Sequence, residues 1–222
     1  MKLAIIDDYQ NAALDSAEWA RLGGRVVIEV FNDLDPPRDT LAKRLAGFDA
    51  IICMRERTPF DAAMLQALPN LRLLVTTGLR NAAIDLAAAR AQGVTVCGTR
   101  AASAPAAEMA WALLLAAIRH VPDEAQGLRE GRPWQRTLGR ELAGRTLGVL
   151  GLGKLGKTIV RYAQAFDMKV VGWTRTENAA RSAALGIDAA AGLDDLIARS
   201  DVLSLHATLT PQTRGLIGAR EL

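Results

Sequence analysis

The chain has 222 residues, of which 50% are hydrophobic and 23% are charged, a composition that excludes a disordered or fibrous protein. Its formal net charge is only +3, with basic residues interleaved among acidic ones, so we expect no nucleic-acid partner. The longest apolar run, residues 109–118, is about half the length of a transmembrane helix and the N-terminus lacks a signal-peptide pattern, so we expect a cytoplasmic protein with no membrane partner.

The two cysteines, Cys53 and Cys97, lie inside apolar runs that are far apart in the sequence. Neither of the two histidines is near a cysteine. The pattern therefore predicts buried, reduced thiols, and it predicts neither a disulfide nor a metal site.

Short aliphatic strands alternate with helical patterns over the first hundred residues. Continuous apolar strands joined by helical crossovers are typical of a parallel sheet that is covered on both faces. We therefore predict a flavodoxin-like α/β domain over residues 1–100, which would bind the substrate. Strands are predicted at residues 3–7, 26–31, 50–54, 71–77 and 94–99, and helices at residues 11–22, 39–46, 61–67 and 82–91.

A longer helix is predicted at residues 103–120, with Ser103 as its N-cap and Pro105 in its first turn. Because this helix is apolar on most sides, we expect it to be buried between two bodies, where it would also serve the interface of a homodimer. The polar segment that follows, residues 122–146, is interpreted as an inter-domain connection with Trp134 packed at the seam.

A second α/β series begins at residue 146 and predicts a Rossmann dinucleotide-binding domain over residues 101–222. A complete domain of this type consists of two βαβαβ halves, and only three strands are recognised, which corresponds to one half. We therefore expect an incomplete domain in part of a longer protein. The strands are predicted at residues 146–151, 168–173 and 201–207, and the helices at residues 154–166, 177–186 and 193–200.

The motif "GLGKLG" follows the first strand of this series and begins a helix, the context in which G-x-G-x-x-G binds a dinucleotide. The first glycine permits a tight turn, the second lets backbone N–H groups approach the pyrophosphate, and the third lets the helix pack close to the sheet. The alternative is a tight turn without a ligand. The predicted cofactor-binding residues are Gly151, Gly153, Lys154, Leu155 and Gly156.

The next strand ends in "WTRT", Trp173, Thr174, Arg175 and Thr176, where an NAD-binding chain usually has an acid that accepts hydrogen bonds from the adenosine ribose. Arg175 instead offers a guanidinium suited to a phosphate, and the two threonines offer hydroxyl donors. We therefore predict a preference for NADP over NAD. In the alternative interpretation Arg175 points to solvent and the site does not discriminate.

Two strand ends in the first domain carry arginines. "CMRERTPF" contains Arg55 and Arg57, and "TTGLRN" contains Gly78 and Arg80. Because ligands of parallel sheets bind beyond the carboxyl ends of the strands, the two loops favour an anionic substrate, although each arginine alone could be a solvated loop residue.

The sequence as a whole resembles the D-isomer-specific 2-hydroxyacid dehydrogenases. The resemblance covers nearly the whole chain and rests on residues 73–99, 106–122, 141–173 and 201–218. It implies two domains and a reversible hydride transfer between a nicotinamide cofactor and a small 2-keto or 2-hydroxy acid.

The resemblance also implies site residues. In the family, the loop matching Thr77, Gly78 and Leu79 binds the substrate carboxylate through backbone N–H groups, and the loop matching Met54 and Arg55 lines the pocket. The residue matching Ala106 lies by the nicotinamide ring, and those matching His206, Ala207 and Thr208 border the cofactor. Ala106 replaces the usual Val or Thr, and Thr208 replaces a frequent Pro. The family's catalytic Arg, Glu and His would lie beyond Leu222, so no catalytic residue is assigned.

Three functions follow from these observations. The favoured one is an NADP-preferring 2-hydroxyacid dehydrogenase, acting as a keto acid reductase and present as an incomplete chain. The alternative is a catalytically inactive nucleotide-binding or sensing module, which the missing catalytic residues would favour. A methyltransferase using the same glycine-rich turn is disfavoured, because the family-like segments extend far beyond that turn.

Overall fold

The computed structural model describes residues 1–33, 36–100, 102 and 104–221. The chain divides into two compact units, Met1–Ala101 and Ala102–Leu222. The predicted N-cap Ser103 lies outside the described residues. Among the residues that the structure describes, no helix combines the length and the apolar character needed to cross a membrane.

The first unit contains a five-stranded parallel sheet in the order β2-β1-β3-β4-β5. This is the flavodoxin-like order, so the predicted fold is confirmed. The central strands are mostly buried because α-helices cover one face of the sheet, and the turn segment with Ala13 and Trp19 packs against the other. The elements are β1 (Lys2–Ile5), β2 (Val27–Val30), α1 (Arg38–Leu45), β3 (Ala50–Cys53), α2 (Ala62–Gln66), β4 (Leu73–Thr76), α3 (Leu86–Ala91) and β5 (Thr95–Gly98).

The helix predicted at residues 11–22 is wrong, since only a short 3-10 helix, Trp19–Leu22, forms there. The buried Asp8 carboxylate accepts hydrogen bonds from the N–H groups of Ala12, at 3.0 Å, and Ala13, at 2.9 Å. Such local side-chain bonds compete with helical ones and fold the segment as turns. The helix predicted at 82–91 likewise begins late, at Leu86, because Asp85 is its N-cap.

The second unit contains a four-stranded parallel sheet in the order β8-β7-β6-β9. The second unit begins with two helices and then alternates strands and helices. They are α4 (Ala104–Ile118), α5 (Val121–Arg129), β6 (Thr146–Leu150), α6 (Lys154–Ala165), β7 (Lys169–Trp173), α7 (Asn178–Ala183), β8 (Asp188–Ala189), α8 (Leu193–Ala198) and β9 (Val202–Leu205).

The predicted count of three strands is wrong by one, because the two-residue strand β8 is too short to produce a sequence pattern. The order of the four strands is the 3-2-1-4 portion of the Rossmann order 3-2-1-4-5-6. β9 lies on the opposite side of β6 from β7 and therefore begins the second half of that arrangement. The switch point of the sheet lies between β6 and β9. Ligands of doubly wound sheets bind at such a switch point.

Helix α4 is only partly buried, which corrects the expectation of a buried helix. Ala107 and Trp111 are buried, and the Trp111 ring packs edge-on against Phe166, with centroids 5.1 Å apart. Met109 is 61% exposed and Leu113 is 62% exposed. α4 thus packs on the core of the second unit along one face, and its other face, with Met109 and Leu113, is apolar and exposed.

The segment interpreted as a connection begins with a helix, α5, which the charged sequence concealed. His120 precedes α5 in the left-handed conformation, and Pro122, Asp123 and Glu124 lie in its first turn, where proline and acidic side chains are favourable. Trp134 is 77% exposed, and its packing at a seam stays a prediction.

The two cysteines differ in their environments. Cys53 is buried at the end of β3, and this burial raises the pKa of its thiol to about 11. Cys97 is exposed on the edge strand β5, so the prediction of two buried thiols is correct for Cys53 and wrong for Cys97. Both thiols are free.

Candidate functional site

The glycine motif forms a tight turn between β6 and α6. Gly151 has φ +98°, which favours glycine, and its N–H donates to the carbonyl oxygen of Trp173 at 2.8 Å. A Cβ at Gly151 would lie 2.7 Å from the carbonyl carbon of His206. The backbone after β6 therefore touches the backbone after β9, and no side chain fits at the first glycine.

The other two glycines differ in what surrounds them. A Cβ at Gly156 would lie 2.0 Å from the carbonyl oxygen of Gly151, so α6 packs directly on the turn. A Cβ at Gly153 would meet no atom within 4 Å. The open position lies at the N-cap of α6, where helical N–H groups lack intrahelical partners. The space beside Gly153 thus suits an anion such as a phosphate.

Two further predicted residues, Lys154 and Leu155, lie in the first turn of α6. Lys154 is exposed, whereas the Leu155 side chain packs against the core of the second unit. Only the backbone of Leu155 is therefore available to a ligand. Ala106 is exposed near the start of α4 and is not among the described residues that line the cleft beside the glycine turn.

The turn after β7 is held by a residue that the sequence did not single out, Asn178. Its Oδ1 accepts a hydrogen bond from the N–H of Thr174 at 2.9 Å, and its Nδ2 donates to the carbonyl oxygen of Ala190 at 2.7 Å. Arg175 and Thr176 are exposed on this turn. Asn178 was detectable only as a turn-forming residue at the start of the helix predicted at residues 177–186.

The segment after β9 contains His206, whose N–H donates to the carbonyl oxygen of Leu150 at 2.7 Å. The imidazole Nε2 lies 2.7 Å from the Ser204 hydroxyl, and burial lowers the pKa of His206 below its ordinary value of 6.5. Thr213 braces the following loop, since its hydroxyl donates to the carbonyl oxygen of Thr208 at 2.7 Å. Sequence analysis overlooked both Ser204 and Thr213.

A cleft of about 270 Å³ lies between these three segments. It brings together the glycine turn, the turn after β7 and the loop after β9, at the switch point of the sheet. The predicted residues that line it are Gly151, Gly153, Trp173, Thr174, Arg175, Thr176, His206, Ala207 and Thr208. Arg181, Thr210, Gln212 and Thr213 line it in addition.

In the first unit, the ends of β3 and β4 lie side by side. The N–H of Arg55 donates to the Thr77 hydroxyl at 3.2 Å, and the N–H of Thr77 donates to the carbonyl oxygen of Cys53 at 3.1 Å. Asn81 links the same two loops, because its Nδ2 donates to the Thr76 hydroxyl and to the carbonyl oxygen of Arg55. Sequence analysis overlooked Asn81, although it follows the glycine loop directly.

The predicted substrate residues differ in availability. The Gly78 N–H, expected to be free, donates to the Thr99 hydroxyl at 3.1 Å. Leu79 is 73% exposed, and Met54 is half-buried with its N–H directed at the Asp7 carboxylate, 3.4 Å away. Leu79 and Arg55 are therefore exposed at these loops, whereas Gly78 is buried.

Arg57 is exposed, and its guanidinium contacts other residues of the first unit. Its Nη1 donates to the carbonyl oxygen of Asp7 at 2.6 Å, and its guanidinium stacks 4.4 Å from the centroid of the Tyr9 ring. The buried Asp7 carboxylate accepts a hydrogen bond from Thr58 at 2.8 Å, and burial raises the pKa of Asp7. Arg57 is thus engaged with Asp7 and Tyr9 at the end of β1, and its contact with an anionic substrate stays a prediction.

No metal cluster accompanies these sites: within the described ranges, no three His, Cys, Asp or Glu side chains are grouped so that they would hold an ion.

Comparison with known proteins identifies the family. Residues 111–222 match the NAD binding domain of the D-isomer specific 2-hydroxyacid dehydrogenases. A D-3-phosphoglycerate dehydrogenase from Mycobacterium bovis is 38% identical over 206 residues, which are 91% of this chain and 38% of that protein. The chain therefore spans less than half the length of this curated relative.

Shorter relatives are covered more fully. A hydroxypyruvate reductase from Thermotoga maritima is 33% identical over 96% of this chain and 68% of its own length. The crystal structure of a phosphoglycerate oxidoreductase from Vibrio cholerae superposes with a TM-score of 0.94 and 39% identity, over 100% of this chain and 71% of that chain. The chain thus belongs to the D-isomer-specific 2-hydroxyacid dehydrogenase family.

Proposed function

We propose that this protein transfers a hydride between NADP and a small 2-keto or 2-hydroxy acid, working mainly as a keto acid reductase. The observation that carries the proposal is the contrast within the glycine motif. Gly156 has no room for a Cβ, whereas Gly153 faces open space at the start of α6. A tight turn that binds no ligand would need the close packing at Gly156 but not the open space at Gly153.

The second unit would hold the cofactor. Backbone N–H groups at Gly153, Lys154 and Leu155 and the dipole of the 12-residue helix α6 would bind the pyrophosphate. Gly156 keeps the helix close to the sheet. His206, Ala207 and Thr208 would border the nucleotide on the other wall of the cleft. When bound, the cofactor supplies or accepts the hydride, and the residues of this chain supply its position.

The preference for NADP rests on the turn after β7. Arg175 would pair with a 2′-phosphate, and Thr174 and Thr176 would add hydroxyl donors. Asn178 fixes the backbone of this turn, so these side chains start from a defined geometry. We further propose Ala106 as a neighbour of the nicotinamide ring, from the family resemblance.

The first unit would hold the acid at the ends of β3 and β4. The N–H of Gly78 is engaged with Thr99, so we assign the substrate carboxylate to the Leu79 N–H and the Arg55 guanidinium. Met54 and Thr77 would form the remainder of this pocket. Small 2-keto acids such as glyoxylate and hydroxypyruvate are the proposed substrate class.

We do not assign a proton donor among these residues. His206 is a poor candidate, because burial lowers its pKa and its Nε2 is already hydrogen-bonded to Ser204. Because no proton donor is assigned, a nucleotide-binding module without turnover is kept as the second candidate function. We also propose a cytoplasmic homodimer that uses the exposed face of α4, around Met109 and Leu113.

The proposed function is tested by following the oxidation of NADPH and NADH at 340 nm, with glyoxylate and with hydroxypyruvate. Because no proton donor is assigned in this chain, we expect NADPH to bind saturably and more tightly than NADH, and any turnover to be faster with NADPH. Binding without turnover is expected of an incomplete dehydrogenase as well, whereas a dimer that forms only with the cofactor would favour the binding module. Absence of NADPH binding would contradict both functions. Light scattering over a wide concentration range tests the dimer, which a persistent monomer would contradict.

A further inference from the structure

A second arginine, Arg181, lines the cleft beside Arg175 and Thr176. It lies on α7, and its Nε and Nη2 donate to the same carboxylate oxygen of Glu177, at 3.2 and 3.0 Å. The Arg181 side chain is 38% exposed and that of Glu177 is 69% exposed. An acid, Glu177, thus directly follows the turn after β7. Arg181, which lines the cleft, forms an ion pair with this acid.

We infer that Arg181 is a second specificity residue, which exchanges Glu177 for the 2′-phosphate of the bound cofactor. The inference rests on the NADP preference proposed above and extends it from one cation to two. Arg175 is exposed on the turn itself, whereas Arg181 approaches the same cleft from α7. Together they would offer guanidinium donors from two directions.

The exchange is reasonable because the resting ion pair is weak. Exposed pairs between residues four apart on a helix contribute less than about 1 kcal/mol. A phosphate monoester carries about −1.5 to −2 charges near neutral pH and three acceptor oxygens, whereas Glu177 offers a single charge. The ribose hydroxyl of NAD carries no charge, so it gives Arg181 no comparable reason to leave Glu177.

This asymmetry would make Arg181 a discriminating residue. Without ligand, it cancels the charge of Glu177, which would otherwise repel a phosphate near the turn. With a 2′-phosphate bound, Arg181 turns toward the phosphate, and Glu177 is left in water, where an unpaired carboxylate is well solvated. With NAD bound, Arg181 remains paired with Glu177, so the pair does not contribute to the affinity for NAD.

The test compares adenosine 2′,5′-bisphosphate with adenosine 5′-monophosphate, which lacks only the 2′-phosphate, by calorimetric titration of the whole chain. We expect Arg181→Ala to weaken binding of the bisphosphate about two- to fivefold and to leave binding of the monophosphate unchanged. Arg181→Lys should recover part of the loss, and Glu177→Gln should strengthen bisphosphate binding.

Arg199→Ala is the matched control. Arg199 is also 38% exposed and pairs with an acid four residues earlier, Asp195, and with Asp188, but it is the C-cap of α8 and does not line the cleft. We expect this variant to bind both nucleotides as the parent chain does. Thermal melting of each variant reports whether a loss of binding comes from unfolding.

The outcomes separate the inference from the proposed function. If the parent chain prefers the bisphosphate and Arg175→Ala removes the preference while Arg181→Ala does not, the inference is overturned and the NADP preference stands. If the parent chain binds both nucleotides equally, the NADP preference and the inference both fail. An equal loss in Arg181→Ala and Glu177→Gln would show that the pair acts structurally, which also overturns the exchange.

Discussion

A single methyl group at Gly153 should block the cofactor without disturbing the fold. Gly153 is the N-cap of α6, with φ −79° and ψ −163°, and an added Cβ would meet no atom within 4 Å. Gly192 is a matched control, because it is the N-cap of α8, is also extended, and is equally open. The substitutions Gly153→Ala and Gly192→Ala therefore make the same chemical change at two equivalent positions.

The expected magnitudes differ for stability and binding. Replacing an N-cap glycine by alanine costs about 0.5–1 kcal/mol, so both variants should lose about 1–4 °C in Tm. Only Gly153→Ala places its methyl group where the pyrophosphate would approach. Losing one hydrogen bond to a charged group costs about 1.5–3 kcal/mol, which corresponds to roughly ten- to hundredfold weaker NADPH binding.

Gly156→Ala should also weaken NADPH binding, but for a different physical reason. Its Cβ would lie 2.0 Å from the carbonyl oxygen of Gly151, so α6 must move away from the turn. Overpacking of this kind costs about 1–3 kcal/mol. We therefore expect Gly156→Ala to be less stable than Gly153→Ala and to bind NADPH weakly because the turn is displaced.

The assay combines thermal melting by circular dichroism with fluorescence titration of NADPH for the parent chain and the three variants. The reasoning would be refuted if Gly153→Ala bound NADPH as tightly as the parent chain. It would also be refuted if Gly192→Ala lost binding to the same extent, since a general loss of helix capping would then explain the effect.

Three further changes test the remaining structure. Cys97 should react with a thiol reagent in the native chain, whereas Cys53 should react only after denaturation, because it is buried and its pKa is raised to about 11; two fast-reacting native thiols would contradict this. Since burial raises the pKa of Asp7 above its ordinary value of 3.8, the stability contributed by protonated Asp7 is lost as pH rises through the raised pKa. Asp7→Asn should therefore gain stability relative to the parent chain as pH rises above about 4 in urea unfolding; a difference that is independent of pH would argue against it. Asn178→Ala removes two hydrogen bonds, so it should lower the free energy of unfolding by about 2 kcal/mol in the same measurement and weaken NADPH binding. Unchanged stability would show that the turn after β7 does not depend on Asn178.

The sequence predicted best where one local pattern had one physical cause. The two parallel sheets followed from apolar runs separated by helical crossovers, and the glycine turn followed from a spacing that serves a specific geometry. The predicted lining of the cleft, from Trp173 to Thr176 and from His206 to Thr208, depended on strand ends that meet at one edge of a parallel sheet.

What the sequence did not reveal depends on partners that are distant along the chain or on very short elements. Asn178 bonds to Ala190, and Asn81 connects the ends of β3 and β4, so neither role is visible in a local window. The helix at residues 11–22 was predicted from a helical pattern, but the Asp8 carboxylate accepts hydrogen bonds from the backbone of Ala12 and Ala13 instead. β8 has two residues, which is too few for any periodicity.

The charged segments were misread for a related reason. α5 has a polar sequence, and its start depends on His120 in the left-handed conformation, which no periodicity indicates. Glu177 was not considered when the turn after β7 was taken to be free of acids. Its charge matters only together with Arg181, and that pairing requires the geometry of α7.

The central claim is that the cleft of the second unit binds a nicotinamide dinucleotide and prefers the one with a 2′-phosphate. Calorimetric titration of the 222-residue chain with NADPH, and then with NADH, tests it most directly. The account predicts saturable binding of one NADPH per chain, with NADH bound at least several-fold more weakly. Absence of saturable binding would contradict the cofactor site itself, and equal affinities for the two nucleotides would contradict its specificity.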